Sequence, residues 1–418
     1  MSIDIVVLSF ATLIGLYMAA NIGANDLANA MGTSVGSRAL TLNQAVLVSI
    51  IANVLGAVLA GGHVTSTISK GMVDPALLAD APNKLMLGMF AALIAASVWV
   101  HLATYFGLPV STTHAIVGAV VGFGIISVGA GAVNWGKIIT IAISWIISPA
   151  AGATIAGSIF YLADKKIMSA RDPHAAAIHY APALIFFVVL VLILSFIFKA
   201  LKNFHLDFGF FQTVLLAIPC AALVGLFART WMRRQVRLKC ELGPNPQGYS
   251  PAECFFAQLQ VLTACYVAFA HGANDVANAI GPLAAIFAVI KTKSVALQVE
   301  VPFWMLAIGG IAVGGGLLAF GTRVMETIGK NITEITPFRG FCAEFGAATT
   351  ILVCSRLGLP VSTTHVLVGS VVGVGVMRGM GTLDLRILKN IGLSWIVTLP
   401  FTVVLSMVLY KLLTIFML

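Results

Sequence analysis

The chain has 418 residues and a formal net charge of +9, with 59% hydrophobic and only 9% charged residues. Soluble domains carry about 25% charged residues, so this composition excludes a water-soluble enzyme and a disordered chain. The positive charge does not indicate a nucleic-acid partner, because short cytoplasmic loops between membrane helices carry such an excess.

Apolar runs of about 20 residues recur along the whole sequence, and each is long enough to cross a bilayer as a helix. In chain order they are 4–20, 42–62, 85–106, 138–162, 181–201, 209–228, 303–321 and 393–418. They predict an all-α polytopic membrane protein with about twelve transmembrane segments. Segments 108–130 and 359–378 either cross the membrane or form broken or re-entrant helices at its midplane.

Two motifs occur twice, about 250 residues apart, which is the signature of an internal duplication. The sequence Gly-Ala-Asn-Asp-Leu-Ala-Asn-Ala-Met-Gly at 23–32 returns at 272–281 with only conservative changes. The sequence Gly-Leu-Pro-Val-Ser-Thr-Thr-His at 107–114 returns unchanged at 358–365. We therefore predict two repeats, 1–162 and 255–418, joined by a connector at 163–254.

Loop charge predicts that the two repeats are inverted. A cluster of basic residues follows the apolar run at 209–228, so we place the loop 229–253 in the cytoplasm. The cluster consists of Arg229, Arg233, Arg234, Arg237 and Lys239. The N-terminal flank contains only Asp4, which favours an outside start. Repeats that start on opposite sides need an odd number of crossings between them, as in many secondary transporters.

The first repeated motif places an aspartate in apolar surroundings, at Asp26 and again at Asp275. A charge there costs at least about 2.5–3.5 kcal/mol, so something must compensate it. Asn29 and Asn278 follow each aspartate by three residues and share its helical face. Carboxylate and amide oxygens suit sodium, and the small neighbouring residues allow a helix break that frees carbonyls. Alternatively, the aspartates only bind helices together.

The second repeated motif supplies three consecutive hydroxyl groups ahead of an apolar, glycine-spaced stretch. They are Ser111, Thr112 and Thr113 in the first copy and Ser362, Thr363 and Thr364 in the second. Such residues cap a helix start, and the free N–H groups there can bind an anion. Capping alone requires only one hydroxyl, so three in each copy favour a site for a tetrahedral oxyanion.

Electrostatics connects the two motifs, because the four segments contain no Lys or Arg. An anion beside two ionised aspartates would be repelled unless sodium or protons intervened, and this makes the binding of ion and anion reciprocal. Reciprocal binding is what a symporter needs. Phosphate is weakly favoured over sulfate, since a protonated phosphate oxygen can donate to an aspartate.

Other residues allow two interpretations each. Glu344 has no counterpart in the first repeat and is either a further sodium ligand or a satisfied interior acid. His114 and His365 either relay protons or bond to backbone carbonyls. Gln258 and Gln260 either supply carbonyl ligands or bond between helices. The six cysteines show no C-x-x-C spacing, and we interpret them as packing residues without a disulfide framework.

The four repeated segments closely resemble those of the inorganic phosphate transporter (Pit) family, and the resemblance extends over nearly the whole chain. It implies an inverted-repeat secondary transporter of inorganic phosphate. It implies cation and phosphate binding by Asp26, Asn29, Asp275 and Asn278, and phosphate donation by the two hydroxyl triplets. The Gly-Ala-Asn-Asp form resembles the sodium-coupled branch, whereas the proton-coupled bacterial branch tends to carry Gly-x-His-Asp.

We therefore expect a symporter, not an enzyme, that imports phosphate with sodium by alternating access and uses no cofactor beyond the co-transported ions. The alternative is a proton-coupled phosphate or sulfate symporter. A phosphotransferase would need basic residues or a metal cluster, and an anion channel would not need two buried carboxylates. The short loop 229–253 favours a prokaryotic plasma (inner) membrane. The sequence leaves open whether the protein forms a homo-oligomer.

Overall fold

The computed structural model of the protein describes residues 3–70, 72–73, 75–203, 209–236, 248–295, 301–326, 335–379 and 384–417. Within these ranges the regular secondary structure is helical, apart from one isolated bridge between Val73 and Val133. The α-helices are α1 Ile3–Ile22, α2 Ala28–Gly36, α3 Leu42–Ala60, α4 Gly62–Lys70, α5 Pro82–Tyr105, α6 Thr112–Ser127, α7 Trp135–Ala163, α8 Pro173–Asn203, α9 Phe210–Val236, α10 Pro251–Thr292, α11 Phe303–Phe320, α12 Thr322–Glu326, α13 Pro337–Arg356, α14 Thr363–Arg378 and α15 Leu385–Met417.

Nine helical segments of the described chain are long and apolar enough to cross a bilayer, which confirms the polytopic all-α class. They are fewer than the estimate of about twelve, partly because α6 and α14 have only 16 residues each. Such a helix is about 24 Å long and falls short of a hydrocarbon core of about 30 Å. Both helices begin at the hydroxyl motifs.

Each short helix forms a hairpin with the helix before it. Gly107 turns the chain between α5 and α6, and Gly358 turns it between α13 and α14. Both have positive φ angles, +67° and +68°, which glycine adopts without the steric penalty of a side chain. Directly after Gly107, the Leu108 N–H donates to the carbonyl oxygen of Ala103 at 2.9 Å. The repeated glycine is therefore a structural requirement of the motif.

The helices of the two predicted repeats are interlocked in space. Helix α1 packs against α11, and helix α10 packs against α3. In the hairpin region, α6 packs against α15 and α14 packs against α7. Within the connector, α8 and α9 pack mainly on each other. Each repeat thus completes its packing with helices from the other, so that motifs distant in sequence meet at the centre.

Close approaches between these helices require the small residues of the aspartate motif. A Cβ atom added to Gly23 would lie 1.7 Å from the carbonyl oxygen of Val313, and one added to Gly272 would lie 2.0 Å from that of Asn53. No side chain fits at such distances. The two glycines occupy equivalent places in the two copies and let α11 and α3 contact the aspartate-bearing helices directly.

The region around the basic cluster differs from expectation in one respect. Cys254 is disulfide-bonded, so the interpretation of all six cysteines as packing residues is wrong for this one. Sequence spacing alone does not reveal such a pairing. Arg237 and Lys239 of the predicted cytoplasmic loop lie outside the described residues.

Candidate functional site

The two aspartates of the duplicated motif meet in the interior of the protein. Asp26 lies in a π-helical turn, Gly23–Leu27, between α1 and α2, whereas Asp275 lies in the uninterrupted helix α10. Their side chains are 3% and 0% exposed. Ligand atoms of Asp26, Asp275 and His271 all lie within 4.8 Å of one another. The acidic residues therefore form one shared site rather than two separate ones.

Hydroxyl groups of both hairpins donate to these carboxylates. Asp26 accepts from Thr112 of its own repeat and, at 2.6 Å, from Thr364 of the other repeat. Asp275 accepts from Thr363 at 2.6 Å. The N-terminal ends of α6 and α14 thus meet the carboxylates, where the positive ends of the helix dipoles stabilise negative charge. The predicted hydroxyl and aspartate motifs are in direct contact.

Further bonds between the repeats bind the two hairpins to each other. The Thr113 hydroxyl donates to the carbonyl of Val361 at 3.1 Å, and the Thr364 hydroxyl donates to the carbonyl of Val110 at 3.2 Å. These two contacts are equivalent under the duplication. They place the two hydroxyl triplets side by side, at the junction of the repeats.

The first hydroxyl of each triplet is a helix N-cap. The Ser111 side chain accepts from the His114 N–H at 3.1 Å, and the Ser362 side chain accepts from the His365 N–H at 3.2 Å. Capping occupies only an acceptor lone pair and leaves the hydroxyl hydrogen available to donate. The capping interpretation is therefore correct for these two serines, and it is compatible with a second role.

The two asparagines predicted as ligands carry buried polar atoms without partners. Asn29 is 1% exposed, and neither its amide nitrogen nor its oxygen has a hydrogen-bond partner. Asn278 donates to Thr112 and Thr113 at 3.1 and 3.2 Å, but its oxygen is also unpaired. An unpaired buried polar group costs about 1–3 kcal/mol, and such groups are rare in native proteins. These atoms leave hydrogen-bonding and coordinating capacity free beside the carboxylates.

Glu344 lies on α13 within a separate polar cluster. Its carboxylate accepts from the Thr33, Ser34 and Thr263 hydroxyls at 2.7, 2.5 and 2.6 Å and from the Gln260 amide at 3.0 Å. The side chain is fully buried. Four neutral donors from two helices, α2 and α10, bond to this acid. Gln260 therefore bonds between helices, the second of its two interpretations.

Sequence reasoning missed two residues of the site, His271 and Asn53. The His271 Nε2 atom lies 3.1 Å from Asp275 Oδ2, and its Nδ1 atom lies 2.9 Å from Asn53 Oδ1. The spacing of four residues between His271 and Asp275 on one helix is a signal that could have identified the histidine. Asn53 comes from a distant part of the sequence and left no such signal.

Asn25 and Asn274, which precede the aspartates, position the hairpins. The Asn25 amide donates to the carbonyl of Leu108 and accepts from the Val110 N–H, both at 3.0 Å. The Asn274 amide donates to the carbonyl of Val361 at 2.8 Å. Each asparagine thus binds the loop of its own repeat that leads into the hydroxyl triplet.

The charge balance of the site calls for a cation. Within the described ranges, neither aspartate forms an ion pair with a lysine or arginine. Two carboxylates this close repel each other strongly in a medium of low dielectric constant. The site therefore has the chemistry to bind small cations and, once these are present, an oxyanion at the two helix starts.

The chain is similar to proteins of known description over almost its full length. The model of the "Phosphate transporter family" matches residues 22–406. A relative from Pyrococcus abyssi, which bears the name "Putative phosphate permease", is 43% identical over 401 residues and covers 96% of both chains. The chloroplastic inorganic phosphate transporter 2-1 of Arabidopsis thaliana is 43% identical over 410 residues, which are 94% of this chain and 70% of the relative.

A solved structure is also similar to this protein. It is described as the sodium-dependent phosphate transporter, and it matches with a TM-score of 0.90 and 41% identity, over 98% of this chain and 99% of the other. Sequence and fold therefore agree with the resemblance drawn from the four motifs. This multi-pass helical membrane protein belongs to the phosphate transporter family and is not an enzyme.

Proposed function

We propose that the protein is a sodium-coupled symporter that imports inorganic phosphate by alternating access. The observation that carries this proposal is the unpaired Asn29 side chain, which is buried one helical turn from a carboxylate that has no basic partner among the described residues. Sodium bound there satisfies the amide oxygen and neutralises the acid. The solved structure that this chain resembles is described as a sodium-dependent phosphate transporter, which supports sodium as the coupled ion.

Phosphate binds, in this proposal, between the N-terminal ends of α6 and α14. Its oxygens accept from the hydroxyls of Ser111, Thr112, Thr113, Ser362, Thr363 and Thr364, and a protonated oxygen donates to an aspartate. The threonines that now donate to Asp26 and Asp275 turn toward the anion instead. This exchange is possible only if a cation replaces the lost bonds to the carboxylates, and it therefore links the two binding events.

Sodium binds to the oxygens of Asp26, Asn29, Asp275 and Asn278, with waters or phosphate oxygens completing the coordination. The coupling follows from charge. Without sodium, the aspartates repel phosphate, and without phosphate, several cations packed at one site repel each other. Each ligand thus raises the affinity for the other by the same factor.

Alternating access follows from the inverted arrangement that we infer for the repeats. If the α5–α6 hairpin returns to the side from which it enters, five spans lie between the start of the first repeat and the start of the second, namely α1–α2, α3, α7, α8 and α9. This number is odd, as inversion requires. The site then lies at the junction of two oppositely oriented hairpins, which can open it to each side in turn.

The proposed coupling is tested by uptake into proteoliposomes. With an inward sodium gradient and the proton gradient collapsed by an ionophore, we expect radiolabelled phosphate to accumulate above its equilibrium level. Replacing sodium with potassium should abolish the accumulation. A driving proton gradient that accumulates phosphate without sodium would instead support the proton-coupled alternative, and sulfate in place of phosphate tests the choice of anion.

We propose Glu344 as a further sodium ligand, with the surrounding Thr33, Ser34 and Thr263 hydroxyl oxygens as co-ligands. These groups are all hard oxygen donors gathered around one buried carboxylate. We expect Glu344→Gln to raise the sodium concentration for half-maximal uptake about tenfold, since it removes the charge but keeps the shape.

The matched control for this change is Glu253→Gln, the same substitution at the start of α10. An unchanged sodium dependence in Glu344→Gln would contradict the proposed ligand role and leave Glu344 as a satisfied interior acid.

The relatives in Pyrococcus and other prokaryotes lead us to propose a prokaryotic plasma membrane as the location.

A further inference from the structure

The protonation pattern of the His271 ring is fixed by its neighbours. The Asn53 amide nitrogen lies 3.1 Å from the carbonyl oxygen of Gly310, which can only accept, so that nitrogen must face it. The Asn53 oxygen then faces His271 Nδ1 at 2.9 Å. Because an amide oxygen can only accept, Nδ1 carries the hydrogen.

In the neutral ring, Nε2 therefore bears a lone pair, and this lone pair faces Asp275. The two atoms, Nε2 and Oδ2, lie 3.1 Å apart, and both are acceptors when the ring is neutral and the acid ionised. His271 is 1% exposed, and its Nε2 has no hydrogen-bond partner. These two atoms can be joined only through an electron-pair acceptor between them, which a proton or a metal ion supplies.

Only the second of the two duplicated motifs is preceded by this histidine. The position equivalent to His271 in the first repeat is occupied by Ile22, four residues before Asp26. Sodium is a hard ion that takes oxygen ligands and gains little from an imidazole nitrogen. Divalent ions such as Zn²⁺ and Co²⁺ bind imidazole nitrogen and carboxylate oxygen together.

We propose that Asp26, His271 and Asp275 form a binding site for a divalent transition-metal ion, and that this ion inhibits transport by occupying the cation position. The three ligand atoms lie within 4.8 Å of one another, a spacing that a single ion can bridge after small adjustments. Asn53 acts as the outer partner that directs the ring, as in many zinc sites. The metal binding does not depend on the proposed sodium coupling. The inhibition does depend on it, because it requires that sodium binds at the same position.

The binding is measured on the purified full-length protein in detergent, by calorimetric titration with Zn²⁺ and by visible absorption with Co²⁺. We expect one equivalent to bind to the wild type and the affinity to fall at least tenfold in His271→Ile, which gives the second repeat the residue of the first. His101→Ala is the matched control, because His101 also contacts an asparagine oxygen, Asn21 Oδ1 at 3.1 Å, outside the acidic site.

A second measurement needs no variant. X-ray absorption at the zinc edge of the wild-type complex should reveal one imidazole nitrogen at about 2.0 Å with oxygen ligands otherwise. An all-oxygen shell, equal affinities in wild type and His271→Ile, or loss of binding in His101→Ala would each overturn the proposal. If zinc binds as expected but phosphate uptake proves independent of sodium, the metal site stands and the sodium proposal fails.

Discussion

Replacing Asp275 with asparagine is expected to abolish concentrative phosphate uptake while the protein remains folded. Asparagine keeps the size and shape of aspartate, and its side-chain atom at the Oδ2 position can either accept from Thr363 as an oxygen or donate to His271 Nε2 as a nitrogen. The change also removes the repulsion between two nearby carboxylates. What it removes from function is one of the two charges that, in our proposal, bind sodium and so make phosphate binding possible.

The measurement is phosphate accumulation in proteoliposomes under a sodium gradient, with folding checked by gel filtration and thermal unfolding. We expect the uptake rate to fall at least about tenfold, equivalent to about 1.4 kcal/mol or more. The control is Asp80→Asn, the same substitution at an exposed turn. Accumulation at the wild-type level in Asp275→Asn would refute the assigned role.

A large loss of stability is expected from Gly316→Ala on α11. The added Cβ would lie 1.8 Å from the carbonyl oxygen of Ala20 on α1, and backbone on both sides cannot yield as a side chain could. Helices α1 and α11 would have to separate close to the π-helical turn that follows α1 and carries Asp26. Overpacking of this kind costs about 1–3 kcal/mol, or more where the clash is with backbone.

The neighbouring glycine provides a matched control. Gly315 lies on the same helix, and a Cβ there has no atom within 4 Å. We expect Gly315→Ala to leave the unfolding temperature unchanged or to raise it slightly, because alanine favours a helix by about 1 kcal/mol over glycine. Gly316→Ala should lower that temperature or prevent recovery of monodisperse protein. Equal behaviour of the two variants would contradict the tight α1–α11 contact.

The duplication allowed much of the site to be predicted from sequence. Two aspartate motifs and two hydroxyl motifs in register can be found without a structure, and the fold brings all four into contact, as the hydrogen bonds from Thr112, Thr363 and Thr364 to the aspartates demonstrate. Fold class followed from hydrophobicity alone, because backbone groups in a membrane must be satisfied within helices.

The rest of the site depends on contacts that sequence cannot specify. Asn53 reaches His271 across 218 positions, and Thr33 reaches Glu344 across 311. Interlocking of the two repeats creates both contacts, and no periodic pattern encodes it. The differences between the copies were also hidden, since Asp26 lies in a π-helical turn and Asp275 in a regular helix, although their motifs are almost identical.

The most direct test of the central claim is a high-resolution experimental map of the protein with phosphate and sodium bound. Our account predicts a tetrahedral density between the N-terminal ends of α6 and α14, flanked by small cations that contact Asp26, Asn29, Asp275 and Asn278. Phosphate bound away from both hydroxyl triplets, or bound among them with no cation on either aspartate, would contradict it.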